Sequence, residues 1–115
     1  MCELFIGADP ALWKPQTRSL RVDGVVTSIR LEQFFWNILS EIAKRDGMNE
    51  VSLISKLYLE STDAGHQLDN FTPFLRVCCG RYLSLVADQK IMRDHSSLRS
   101  ITNVKEILRN ERETK

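Results

Sequence analysis

The stretch RSLRVDGVVTSIRL, residues 18–31, decides how the rest of the chain is read. At its centre stand Asp23 and Gly24, two residue types that tolerate positive φ, between runs that alternate apolar and polar. A two-residue β-hairpin turn needs such a backbone, so the pair predicts a hairpin. With these two as the turn, Val22 opposes Val25, Leu20 opposes Thr27 and Arg18 opposes Ile29. Successive side chains of a strand point to opposite faces. One face then carries Leu20, Val22, Val25, Thr27, Ile29 and Leu31, and suits a core. The other carries Ser19, Arg21, Val26, Ser28 and Arg30. It is polar and basic except for Val26, and suits solvent or an anionic contact.

Downstream the period changes from two to 3.6. Residues 32–45 (EQFFWNILSEIAKR) place Phe35, Ile38, Leu39, Ile42 and Ala43 on one helical stripe, widened by Trp36. Lys44 and Arg45 suit the last turn, and Gly47 stops the helix. Residues 49–60 predict a second helix, with Asn49 as N-cap, Glu50 in the first turn and Leu53, Ile54, Leu57 and Tyr58 as the stripe. The link Asp46-Gly47-Met48 is so short that the two helices must be packed neighbours. Residues 61–69 read as a polar loop. Residues 72–88 read as a third helix, capped by Thr72 with Pro73 in its first position. Its stripe holds Phe74, Leu75, Cys78, Tyr82, Leu85 and Val86.

The ends are less regular. Residues 1–17 form a lead-in whose Phe5, Ile6 and Trp13 are expected to lie against the domain, mostly without regular structure. Residues 89–115 form a basic tail, irregular to 100, then a short, poorly secured helix at about 102–112 built on Val104, Ile107 and Leu108. The expected organisation is a lead-in (1–17), one domain (18–88) and the tail (89–115).

Totals narrow the function. The chain has 115 residues, 43% of them hydrophobic, and a net charge of +1. That is one globular domain, with no overall basic field to advertise nucleic acid. Arg18, Arg21 and Arg30 concentrate positive charge at the hairpin, and a dimer would double the patch. Cys2, Cys78 and Cys79 are an odd set with no disulfide pattern, and adjacent cysteines on a helix point about 100° apart, which disfavours one shared metal. Cys78 is expected to pack and Cys79 to be less buried. His66 and His95 lie in polar segments without metal-ligand spacing to them. No basic segment with a following apolar run opens the chain, and no run approaches the roughly 20 apolar residues of a membrane span. A reduced cytoplasmic protein is the expectation. Nucleophile elbow, phosphate loop and metalloprotease motifs are all lacking, and Glu41 and Glu60 sit on polar faces without evident partners. Neither catalysis nor a cofactor is expected.

The order strand, helix, Gly-containing turn, helix in TSIRLEQFFWNILSEIAKRDGMNEVSLISKL resembles the core of ribbon-helix-helix proteins, the superfamily of Arc- and methionine-repressor-type regulators. RSLRVDGVVTSIRLEQFFW, with NFTPFLRVCCGRYL downstream, resembles a bacterial subgroup that adds a hairpin strand before the ribbon and a third helix after the pair. The resemblance implies a mainly α fold with a short β-ribbon, an intertwined homodimer, a third helix and a tail helix. One strand and two helices cannot bury their own apolar faces, so two chains would share a core of Ile29, Leu31, Trp36, Leu39, Ile42, Leu53 and Ile54. The paired strands would enter the major groove of double-stranded DNA with Val26, Ser28 and Arg30 outward. Arg30 suits the two acceptors of a guanine, and Val26 a thymine methyl. Asn49 and Glu50 would seat a phosphate at the second helix's N-terminus, although Glu50 brings negative charge there. The added strand either extends the reading face with Ser19 and Arg21 or crowds the ribbon. The alternative function is a protein-interaction dimer, akin to ribbon-helix-helix antitoxins.

Overall fold

A computed structural model describes residues 2–66 and 71–113. Strands β1 (Pro15–Val22) and β2 (Val25–Glu32) pair antiparallel as a two-stranded ribbon. The register runs from Val22 with Val25, through Leu20 with Thr27 and Arg18 with Ile29, to Pro15 with Glu32. Asp23 and Gly24 have φ of 51° and 79°, the two positive values a primed turn requires. Register and turn match the sequence reading, and β1 starts three residues earlier than expected. Leu20, Val22, Ile29 and Leu31 are buried, while Ser19, Arg21, Val26, Ser28 and Arg30 are exposed. Val25 belongs to the inner set but lies exposed beside the turn.

A two-residue turn also dictates which backbone groups stay free. The pair flanking it is hydrogen-bonded, and bonded pairs then alternate with unbonded ones. Val25, Thr27, Ile29 and Leu31 therefore spend their N–H and C=O groups on β1. Val26, Ser28 and Arg30 turn theirs to the outer edge of β2. Two bonds agree with this phase: Gln33 N–H reaches the Lys14 carbonyl at 2.9 Å, and Ser55 Oγ donates to the outward Arg21 carbonyl at 3.3 Å.

Helix α1 spans Cys2–Ile6, α2 Gln33–Arg45, α3 Glu50–Asp63, α4 Phe71–Ala87 and α5 Val104–Glu113. Gly47, at φ 70°, makes the sharp turn after α2. Asn49 caps α3, accepting the Ser52 N–H at 2.9 Å. α3 runs three residues past its predicted end, since Ser61 is buried and the Thr62 hydroxyl donates to the Tyr58 carbonyl at 2.9 Å. Residues 67–69 of the expected loop lie outside the described residues. α4 already includes Phe71, so Thr72 sits within its first turn instead of capping it.

The core joins Ile29 and Leu31 of the ribbon to Trp36, Leu39 and Ala43 of α2, Ile54 of α3, and Leu75, Cys79 and Tyr82 of α4. Leu75, Cys79 and Tyr82 follow one helical face, which makes Cys79 fully buried and Cys78 half-buried, the reverse of the expectation. Burial pushes the Cys78 thiol up to about 11 and the Cys79 thiol up to about 12.

Both ends are more regular than expected. The lead-in forms α1 and a 3-10 turn at Pro10–Trp13, where Asp9 accepts the Ala11 N–H at 3.0 Å. Phe5, Ile6 and Trp13 stay exposed, contrary to the expectation that they lie against the domain, while Leu12 is half-covered. The tail is pinned through Arg45, whose side chain is 4% exposed. Its Nε donates to the Ser96 carbonyl (2.8 Å), Nη1 to the Met92 carbonyl (2.8 Å) and Tyr82 hydroxyl (3.3 Å), and Nη2 to Asp94 Oδ1 and Ser96 Oγ (both 3.2 Å). Glu41, expected to be unpartnered, accepts from the Tyr82 hydroxyl at 2.5 Å and from Arg93 Nε at 2.8 Å, and Arg93 holds its carboxyl below the usual range. Glu60 likewise has a partner, Lys56 one turn earlier at 3.9 Å. α5 docks by burying Ile107 and pairing Glu111 with Arg81 of α4.

Candidate nucleic-acid interface

The ribbon brings five predicted residues onto one solvent-facing surface. Ser19 and Ser28 face each other across the strands, with hydroxyls 3.3 Å apart. Arg21 folds toward the turn and donates to the Gly24 carbonyl at 3.3 Å. Val26, opposite Arg21, is 63% exposed. Arg30 makes no hydrogen bond or ion pair among the described residues, and its charge is open to solvent. Thr17, opposite Arg30, joins this surface; continuing the alternation back to Pro15 would have found it.

Arg30 has an obvious competitor in Glu32, two residues on and close enough for Arg30 to lower its carboxyl pKa. That carboxylate is already engaged. Arg76 of α4 takes both its oxygens, Nε to Oε1 at 2.9 Å and Nη2 to Oε2 at 3.1 Å. This fork-on-fork pair is the first cause of the lowered Glu32 pKa. Its members stand 44 positions apart, so no local sequence pattern announces it.

Asn49 and Glu50 lie away from that surface, at the start of α3 beside the inner side of β1. Glu50 pairs with Arg18 Nη1 at 2.5 Å, and Arg18 lies over the Trp36 ring, 4.4 Å from its centroid. Glu50 also accepts its own backbone N–H, and that bond first, then Arg18, holds its carboxyl below the usual range. In the free chain the expected phosphate seat is thus filled by Glu50 itself, with Arg18 as the cation beside it.

Six of the expected dimer-core residues, Ile29, Leu31, Trp36, Leu39, Leu53 and Ile54, are already buried inside one chain, while Ile42 is half-buried. β1 and α4 supply cover that a bare strand and helix pair lacks. The described helices include none long and apolar enough to cross a membrane. No group of three or more His, Cys, Asp or Glu residues able to hold a metal occurs among the described residues.

A two-stranded ribbon with an exposed basic face, running directly into a pair of packed helices, defines the class of small proteins that present a β-ribbon from a helical base. The family model described as ribbon-helix-helix domain matches residues 15–83, and the chain belongs to that family. Among solved structures the chain is similar to an uncharacterized protein from Bordetella pertussis Tohama I. Identity is 50% and the TM-score 0.85, over 89% of this chain and 82% of that one. No curated protein matches.

Proposed function

We propose that the protein is a homodimeric, sequence-specific DNA-binding regulator that places its ribbon in the major groove. The observation that carries this reading is the exposed outer face of β2, with an uncommitted Arg30 at its end. Family membership supports it, since ribbon-helix-helix domains are generally DNA-binding regulators. Two copies pair antiparallel through the outer edges of β2, which doubles Val26, Ser28 and Arg30 about a two-fold axis.

Size decides how the added strand fits. Four strands at about 4.8 Å spacing span about 14 Å between the outermost backbones, more than the roughly 12 Å width of the major groove. The central β2 pair enters. The flanking β1 strands ride at the rim, where Ser19 and Arg21 meet phosphates instead of bases. At the start of α3 a phosphate displaces Glu50 from its own N–H and takes over Arg18, with Asn49 holding the helix end. The seven core residues act mainly from within each protomer, and Ile42 retains surface for the partner.

Arg30→Ala is expected to weaken binding to the selected site by about thirtyfold or more, because a bidentate guanine contact is worth about 1–3 kcal/mol and the dimer loses two of them. The dimer and the nonspecific, salt-sensitive component remain. Selection from a random duplex pool, followed by binding titrations of both proteins, checks this; unaltered site preference in Arg30→Ala would refute the assigned readout. The exposed apolar Val26 and the net charge of only +1 favour a second reading, a dimer that binds protein partners. No enrichment from the random pool would select it.

A further inference from the structure

We infer that Arg76 is a positioning residue for DNA reading: by occupying Glu32 it keeps Arg30 free to meet a base. The inference deepens the proposed function and rests on it.

Glu32 and Arg30 are two residues apart on β2, and alternation puts both on the outer face of the ribbon. Opposite charges at that spacing attract, and Arg30 already acts on the Glu32 carboxyl. Left alone, Glu32 is the nearest anion that Arg30 has along its strand. An Arg30 folded onto it would present a neutral pair where a guanine edge offers two acceptors. Arg76 prevents this by geometry. Its side chain is 39% exposed, and its guanidinium meets both carboxylate oxygens of a Glu32 side chain that is 31% exposed, from the α4 side of the ribbon. A bidentate guanidinium outcompetes a monodentate contact for the same carboxylate. α4 thereby influences the reading face without facing DNA itself. Glu32 has two possible guanidinium partners, and its choice sets whether Arg30 is available.

The size of the effect is bounded. An exposed carboxylate–guanidinium pair shifts an equilibrium by at most about fivefold, and two copies per dimer square that to about twenty-five-fold. Binding to the selected site is measured for the full chain, Arg76→Ala, Glu32→Gln and the double variant Glu32→Gln/Arg76→Ala. Arg76→Ala is expected to bind several-fold more weakly, up to about twenty-five-fold. The double variant is expected to return to within about twofold of the unaltered protein, because an amide cannot capture Arg30 as a charge. Rescue separates positioning from tethering: removing Glu32 cannot rebuild the lost link between α4 and β2. A double variant as weak as Arg76→Ala would show that Arg76 serves only as a tether and would overturn the inference. An Arg76→Ala protein of full affinity would overturn it too. In both cases the unaltered protein still binds its site and the DNA-binding reading stands. If the unaltered protein selects no duplex at all, the reading and the inference fall together.

Discussion

Trp36→Ala is expected to destabilise the protein by about 3–5 kcal/mol, the usual cost of removing a large aromatic side chain from a packed core. Trp36 is 1% exposed and touches both layers of the fold. Its ring fills the space between α2 and the ribbon, its Nε1 donates to the Gln16 carbonyl at 2.9 Å, and Arg18 packs over its face. Truncation removes all three contacts. The Gln16 carbonyl loses a donor, and Arg18 loses the platform that aims it at Glu50. A domain of this size has about 5–15 kcal/mol in total, so the variant sits close to unfolding. Urea denaturation followed by circular dichroism checks the value. Trp36→Phe keeps most of the volume and forfeits the hydrogen bond, and is expected to cost less than half as much. Equal stability of Trp36→Ala and the unaltered protein would mean that the ribbon is not fastened to α2 as described.

Arg45→Met is expected to cost about 2–4 kcal/mol, although it replaces a charge with an apolar side chain of similar length. The guanidinium makes five hydrogen bonds, four of them into the segment 92–96 through the Met92 carbonyl, Asp94 Oδ1, the Ser96 carbonyl and Ser96 Oγ. Methionine offers none, so buried acceptors are left to water or to nothing. The loss is local at first. Asp46, which binds the Ser97 hydroxyl and Arg99, still holds the next stretch, but the loop from Ile91 to Ser96 loses its buried anchor and keeps only the half-exposed Arg93–Glu41 pair. Hydrogen exchange is expected to show residues 90–113 opening well before the ribbon and α2. Uniform loss of protection across the whole chain would show instead that Arg45 supports the entire core.

What the sequence made legible follows from how local each signal is. The Asp23-Gly24 turn, the register it imposes and the sorting of Arg21, Val26, Ser28 and Arg30 to one face all depend on neighbours within a few positions. So do Asn49 as a cap and Gly47 as a stop. The errors came where local polarity and tertiary packing disagree. Ser61, Thr62 and Asp63 look like a loop, yet a buried Ser61 and a hydroxyl turned back on the helix extend α3. The tail looks like a solvated basic segment until Arg45 is seen to bind it from about 50 residues away. Arg18 looks like one more ribbon charge, but its place opposite Ile29 turns it inward onto Trp36 and Glu50. The resemblance supplied the family. The cover that β1 and α4 give each chain became visible only with the packing in view.

That cover sharpens the question on which the functional reading turns: whether two chains join through the outer edge of β2. Ser28 is the residue to change, because its N–H faces that outer edge and takes no part in its own hairpin. Proline there deletes the edge donor and spares every backbone β1–β2 bond, losing within the hairpin only the exposed Ser19–Ser28 hydroxyl contact. Sedimentation equilibrium at micromolar concentration, run on the unaltered chain and on Ser28→Pro, measures the point directly. The account predicts a dimer for the first and a folded monomer for the second. A monomeric unaltered chain, or a Ser28→Pro chain as dimeric as its parent, would contradict it.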